Sequence, residues 1–231
     1  MRELEILGDC HGCKVRAESA FCALSMRSLT ILDQISYAVN YPENATLFTE
    51  DQLCRGVFLV CSGRAKVSTR AQDGRELMLR VAMAGEILGL SSVIASQPYR
   101  FSAVTLAPST IRFVKREEFL NFLKSFPDTS LNALQALSLE YERVIDSLRS
   151  LALVETATAR VAQLLLRTAP EDSGGGNVRL LLTQEQIAQM TATTRETVTR
   201  LLAQLRRERV IALRGSKLEI IDRRALERLA S

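Results

Sequence analysis

Apolar positions recur along this chain with three different spacings, and each predicts a different kind of element. Between residues 46 and 114 they fall in short runs rich in Val, Leu, Ile and Phe: 46–48, 57–61, 65–69, 77–81, 101–106 and 111–114. Gly56, Ser62-Gly63, Asp73-Gly74 and Ala84-Gly85 punctuate these runs. Closely spaced strands with turn glycines predict a small antiparallel barrel or jelly roll. Ahead of it, residues 24–39 read as a short amphipathic helix pair with Leu29, Leu32 and Ile35 inward, and residues 40–43 as a turn. Behind it, residues 115–126 read as a short helix closed by Pro127. Asp128 is then expected to cap a long helix. On that helix Leu134, Leu137, Tyr141, Val144, Leu148 and Leu151 alternate three and four apart, an a/d heptad seam. The seam predicts a parallel homodimer. A helix buried against its own barrel is the alternative, and Ile145 suits that role. Val154-Glu155 reads as a hinge.

The last third has the helical period again, in shorter pieces. Residues 156–168 form one predicted helix, with Ala157, Val161, Leu164 and Leu165 inward, and the glycine-rich residues 171–177 a loop. Thr183 with Gln186 is a capping-box pattern, and Ile187, Ala188 and Met190 form the buried face behind it. Thr191 and Ala192 make a tight turn. Thr193 or Thr194 caps a second helix, on which Glu196 has box spacing to Thr193 and Val198, Leu201, Leu202 and Leu205 form one apolar stripe. The opposite face carries Arg195, Glu196, Thr199 and Arg200. Strands at 211–213 and 217–221 flank an Arg214-Gly215-Ser216 tip, and Asp222 caps a last helix through Leu226 and Leu229. This is the pattern of a winged helix-turn-helix. Arginine grips guanine O6 and N7 with two bonds, and glutamate accepts from cytosine N4. Thr183, Thr194 and the wing residue Arg214 complete the expected DNA-facing set. The competing reading makes Glu196 a cap, or a partner that orients an arginine, and the arginines a solvated face.

At this point the residues resemble a family. The run TRETVTRLL at 194–202 resembles the recognition helix of the CRP/FNR transcription regulators. The resemblance implies that Arg195, Glu196 and Arg200 occupy base-reading positions, and that RNA polymerase is a partner. The stretch SGRAKVSTRAQDGRELMLRVAMAGEILGL, residues 62–90, resembles the cyclic-nucleotide-binding roll of the same family. The likeness fails where the nucleotide would sit. Nucleotide-binding members place a Glu after the second glycine, where this chain has Leu90 after Gly89, and an Arg before a Ser, where this chain has Phe101 before Ser102. Arg100 is one residue early, which in a strand faces the other way. A buried phosphate without a cation is too costly to bind, so cyclic AMP is not the expected ligand.

Cysteine placement adds a second candidate chemistry. Cys10-His11-Gly12-Cys13, followed by Cys22, has the look of a thiolate ligand set, and His11 is the sole histidine. Oxygen-sensing members of the resembled family hold a [4Fe–4S] cluster with three N-terminal cysteines and a fourth in the barrel. The equivalent barrel stretch here, Ser109-Thr110-Ile111-Arg112, has no cysteine, which leaves Cys61 or Cys54 as the fourth ligand. Small apolar fillers, a zinc knuckle or the relic of a lost cluster are the other readings of these thiols.

Charge follows the same division. The net charge is +4, and it arises wholly in residues 155–231, where thirteen cations, twelve of them arginine, face nine acids. Such an excess agrees with DNA contact. No apolar run is long enough to span a bilayer, and a cytoplasmic location with reduced thiols is expected. No nucleophile–base pair can be built around one histidine, and no phosphate-binding loop is present, so an enzyme is not expected. The sequence thus predicts an α+β chain in three parts: a Cys segment with a β-roll at 1–127, a dimerisation helix at 128–154 and a winged helix-turn-helix at 155–231. The expected partner is a double-stranded DNA palindrome with half-sites about one turn (~10 bp) apart. The signal enters through the roll or Cys segment, as a redox or oxygen cue or, alternatively, as a small effector without any cluster.

Overall fold

The structure, a computed structural model, describes residues 10–13, 15–168, 182–214 and 217–230. The glycine-rich segment 171–177 and the wing tip Gly215-Ser216 lie outside them. The chain divides into two compact units, residues 1–71 with 79–143 and residues 72–78 with 144–231.

The first unit is a double-sheet roll. Its strands are β1 (Ser36–Tyr41), β2 (Thr46–Phe48), β3 (Gly56–Ser62), β4 (Arg64–Arg70), β5 (Glu76–Met83), β6 (Ile87–Leu88), β7 (Ser102–Thr105) and β8 (Ser109–Lys115). They form two four-stranded sheets, ordered β1-β8-β3-β6 and β2-β7-β4-β5. Val57, Leu59, Val67, Ala103 and Ile111 from the two sheets meet in one buried core. Tyr99 anchors it: its ring stacks on Phe48 at 4.1 Å and its hydroxyl donates to the Gly56 carbonyl at 2.7 Å. Gly56 tolerates no side chain, because a Cβ there would stand 2.0 Å from the Val114 carbonyl oxygen.

Helices α1 (Met26–Ile35), α2 (Leu90–Ala95), α3 (Arg116–Ser125) and α4 (Pro127–Leu153) accompany the roll. The helix pair expected at 24–39 is one helix followed by a strand. The spacing of Leu32, Ile35 and Val39 mimics a helical stripe, but from Ser36 the chain pairs residue for residue with β8, and Tyr37 and Val39 point outward. That strand continues to Tyr41, so the turn comes later than residues 40–43 implied. Helix α2 is too short to show a period in the sequence; it starts after Gly89, whose φ of 79° suits glycine. Arg100 and Phe101 precede β7 and do not belong to it, so strand alternation does not orient them.

Asp128 also differs from expectation. Pro127 is the first residue of α4, a position where its missing N–H costs nothing. Asp128 sits inside the first turn, and its carboxylate accepts from the Ser25 N–H at 3.0 Å and the Ser28 hydroxyl at 2.8 Å. It therefore ties the start of α4 to the capped start of α1. Along α4 the predicted seam splits in two: Leu137, Val144 and Leu151 are half-buried, whereas Leu134, Tyr141 and Leu148 stand out 63%, 67% and 55% exposed.

The second unit holds α5 (Ala157–Thr168), α6 (Gln184–Met190), α7 (Arg195–Arg207), the hairpin β9 (Ile211–Arg214) and β10 (Lys217–Ile220), and α8 (Arg223–Ala230). Val161, Leu165, Ile187, Val198, Leu202, Ile211, Leu218 and Leu226 make its core, which is the predicted apolar stripes meeting one another. The turn between α6 and α7 passes through Ala192 at φ 47°, and Arg160 closes it by donating to the Thr191 carbonyl at 2.8 Å.

Candidate nucleic-acid interface and a thiol-lined cavity

The α6–α7 pair is built as its sequence dictates. Thr183 accepts from the Gln186 N–H while Gln186 reaches back to the Thr183 N–H, a complete capping box. Thr194, not Thr193, caps α7: its side chain accepts from the Thr197 N–H at 3.2 Å, so the box between Thr193 and Glu196 is not formed. Val198, Leu201, Leu202 and Leu205 are buried beneath α7, and this fixes which face looks outward. That face presents Arg195, Glu196, Thr199 and Arg200, all exposed. Glu196 is held ionised, its carboxyl lowered by its own backbone N–H, then by the Thr194 hydroxyl. The Thr199 hydroxyl lies 2.6 Å from Gln184 Oε1 and 2.9 Å from the Arg195 carbonyl. With its hydroxyl engaged within the protein, Thr199 has its methyl left to offer a base. Arg214 ends strand β9; its side chain lies outside the described residues.

In the first unit, Cys10, Cys13, Cys22 and Cys61 line one cavity of about 290 Å³, with Leu29, Leu32 and Leu59 as its apolar floor and Arg112 at its edge. Cys54 is elsewhere: it is buried with its thiol toward the Gly56 carbonyl. Sequence left the two equivalent, and a feature of the sheet separates them. Strand β3 pairs with β8 through Val60 and Ile111, then through Ser62 and Thr110, so Cys61 is an extra residue in a β-bulge. A bulge re-aims a side chain, and this one lies beside the Ser109–Arg112 stretch where a barrel cysteine was missing.

The segment carrying the other thiols is fastened at several points. The Cys22 N–H donates to the Ser19 hydroxyl, which donates to the Gly85 carbonyl. A Cβ at Gly85 would meet Val15 and Ser19 at 3.0 and 3.1 Å, so the segment packs on a bare glycine. Buried Asn132 on α4 donates to the carbonyls on both sides of Cys22, Phe21 at 3.1 Å and Ala23 at 3.0 Å. Next to it Glu86 pairs with Arg80 and, at 2.9 Å, with Arg143 of α4.

The cavity disfavours bare thiolates. Burial pushes the Cys10 thiol up to about 12 and the Cys61 thiol up to about 11, and raises Cys22 as well. Arg112 opposes this at all three. Its guanidinium is buried, ion-paired with Asp33 at 2.7 Å and donating to Ser36 at 2.8 Å. Among the described residues no three His, Cys, Asp or Glu side chains converge closely enough to hold one metal ion. Four sulfurs spread around a cavity suit a body of several atoms better than a single tetrahedral ion, whose thiolates must all lie about 2.3 Å from one point.

The positions that departed from nucleotide-binding members are filled otherwise. Leu90 is buried at the start of α2, Arg100 is exposed and Phe101 half-buried. The Ser102 hydroxyl accepts from the Glu50 N–H. Among the described residues no helix is long and apolar enough to cross a membrane.

A β-roll, a long helix with an apolar seam, and a winged helix-turn-helix presenting arginines define a DNA-binding transcription regulator. Comparison with known proteins gives the family. Residues 38–126 match the cyclic nucleotide-binding domain, and residues 159–229 the Crp-like helix-turn-helix domain. The chain is 30% identical over 196 residues to the CRP-like cAMP-activated global transcriptional regulator of Mycobacterium tuberculosis, covering 83% of this chain and 87% of that protein. It is also 30% identical over 215 residues to the nitrogen fixation regulation protein FixK of Azorhizobium caulinodans, covering 90% and 84%. Its fold matches FixK2 from Bradyrhizobium japonicum with a TM-score of 0.75 at 22% identity, over 85% of this chain and 98% of that one. The chain belongs to the CRP/FNR family of transcription regulators.

Proposed function

We propose that this regulator binds a palindromic operator as a homodimer and takes its signal from a redox-sensitive [4Fe–4S] cluster held by Cys10, Cys13, Cys22 and Cys61. The observation that supports the cluster is the gathering of those four thiols around one cavity, while Cys54 points elsewhere. When bound, such a cluster supplies oxygen- and redox-responsive chemistry. The chain's own residues supply the rest. The bulge at Cys61 and the Asn132 bonds around Cys22 orient two of the ligands, and Leu29, Leu32 and Leu59 give the cavity an apolar side. The apolar positions Leu134, Tyr141 and Leu148 on α4 support the dimer, because exposed side chains of this size at heptad spacing lower the free energy when a second copy covers them.

Cyclic AMP does not control this chain. The M. tuberculosis relative is cAMP-activated by name, but Leu90 and Phe101 stand where the nucleotide needs a carboxylate and a cation. By resemblance, RNA polymerase is the partner of the DNA-bound dimer.

The test is anaerobic purification followed by iron and sulfide analysis and a visible spectrum. The reading requires about four irons per chain in wild type, with loss of visible absorption and of operator binding on exposure to air. It also requires that Cys61→Ser lose the cluster and that Cys54→Ser keep it. Colourless anaerobic protein without iron, or equal cluster loss in both variants, removes the cluster from this reading.

A further inference from the structure

Two cations, Arg16 and Arg112, line the thiol cavity, and Arg112 is paired with Asp33, which stands outside the lining. The Arg112 side chain is 8% exposed and the Asp33 side chain 33%, with the guanidinium and carboxylate 2.7 Å apart. Water screens a charge it can reach much more than one it cannot. The cavity is thus lined by the cation of the pair and not by its anion, which turns a positive group toward the thiols. At Cys10 the charge of Arg112 favours the thiolate more strongly than the charge of Asp33 opposes it. The Cys10 thiol also has its hydrogen bond to Asp33, which favours the protonated form, while the Arg112 backbone N–H favours the Cys61 thiolate.

The chemistry of a tetrathiolate site gives this pair a task. Four thiolates around a [4Fe–4S]²⁺ core carry two net negative charges, and an apolar cavity raises the free energy of such a charge. We propose that Arg112 and Asp33 set the cluster affinity of this cavity with opposite signs, Arg112 as the counter-charge to the ligating thiolates and Asp33 as the brake on it. The inference rests on the reading of Cys10, Cys13, Cys22 and Cys61 as ligands. It assigns a role to two residues outside the four candidate ligands, and it concerns which charge faces the cavity. Ser36, which accepts from the same guanidinium, keeps Arg112 in place when Asp33 is altered.

The sign makes the test specific. Arg112→Gln and Asp33→Asn both break the ion pair, so a purely structural role moves every readout the same way in both. The proposal requires opposite movements. After anaerobic reconstitution with ferrous iron and sulfide, Arg112→Gln should lose iron to a chelator about 10–100-fold faster than wild type, the size of effect that removing an outer-shell partner has on metal sites. Asp33→Asn should lose it more slowly, and Arg112→Lys should stay within a few-fold of wild type. The metal-free protein gives an independent readout, because alkylation by iodoacetamide follows the thiolate fraction. At fixed pH, Cys10 and Cys61 should react more slowly in Arg112→Gln and faster in Asp33→Asn, located by mass spectrometry. Movement in one direction in both variants, or no movement in either, overturns the proposal. Wild-type protein that takes up no iron removes the cluster reading, and the alkylation rates then decide the charge assignment alone.

Discussion

Arg200 and Arg214 carry the same charge to different tasks. Arg200 is exposed on the outer face of α7, the face proposed to meet base edges, whereas Arg214 ends strand β9 at the wing. Replacing Arg200 by Ala should cost ~1–3 kcal/mol at one symmetric base pair and relax preference there. Replacing Arg214 by Ala should weaken all sequences alike and reduce the slope of affinity against salt by about one. Selection from random oligonucleotides checks the first, and fluorescence titration across salt concentrations the second. An unchanged selected motif in Arg200→Ala would mean that α7 does not read bases. The thiols make a prediction of a different kind. In the metal-free chain Cys10 and Cys61 titrate near 12 and 11, above the ordinary value of 9.0. Their burial therefore stabilises the fold fully below pH 9 and progressively less as pH rises toward 11–12, because the unfolded chain deprotonates first. Thermal melts at pH 8, 9.5 and 11 should show a steeper alkaline loss in wild type than in a Cys10→Ala, Cys61→Ala double variant. At this scale the sequence marked candidate residues but not their aim: nothing in the run GVFLVCS marks Cys61 as the bulged residue.

At the scale of elements, long regular patterns were legible and short or mixed ones were not. The long helix α4, the capping box of α6 and the stripe of α7 appear where the periodicity put them, since each rests on many positions that agree, while the heptad seam of α4 divides into a half-buried and an exposed set. Residues 36–41 misled because three apolar residues at helical spacing cannot report the partner strand that decides the matter. The structure also refines which seam positions test the dimer. Leu137 packs against the roll's own core, so a charge there would damage the fold before it reached any interface. Tyr141→Glu with Leu148→Glu alters two exposed positions instead. That variant should fold with an unchanged far-ultraviolet spectrum, sediment as a monomer at micromolar concentration and lose at least tenfold in operator affinity. A wild-type monomer under the same conditions would end the dimer reading.

At the scale of the whole molecule, the family was readable in one sequence, whereas the three expected parts, 1–127, 128–154 and 155–231, are not the two compact units, which divide α4 after Arg143. Leu90 and Phe101 are the single residues on which the reading of ligand choice depends. Calorimetric titration with cyclic AMP should show no heat of binding, and a micromolar dissociation constant would contradict that reading.

Asn132 holds the Phe21 carbonyl across 111 positions of sequence. At ordinary elongation rates of about 5–20 residues per second, the ribosome makes Asn132 roughly 5–20 s after Cys22. During that interval Cys10, Cys13 and Cys22 are outside or leaving the exit tunnel, and the residue that fastens their segment does not yet exist. Cys61 arrives earlier, but its bulge requires the pairing of β3 with β8, which awaits Ser109–Lys115. The nascent chain therefore exposes Cys10, Cys13 and Cys22, and then Cys61, for seconds before it can enclose anything between them. Enclosure of these thiols is consequently a late event in synthesis.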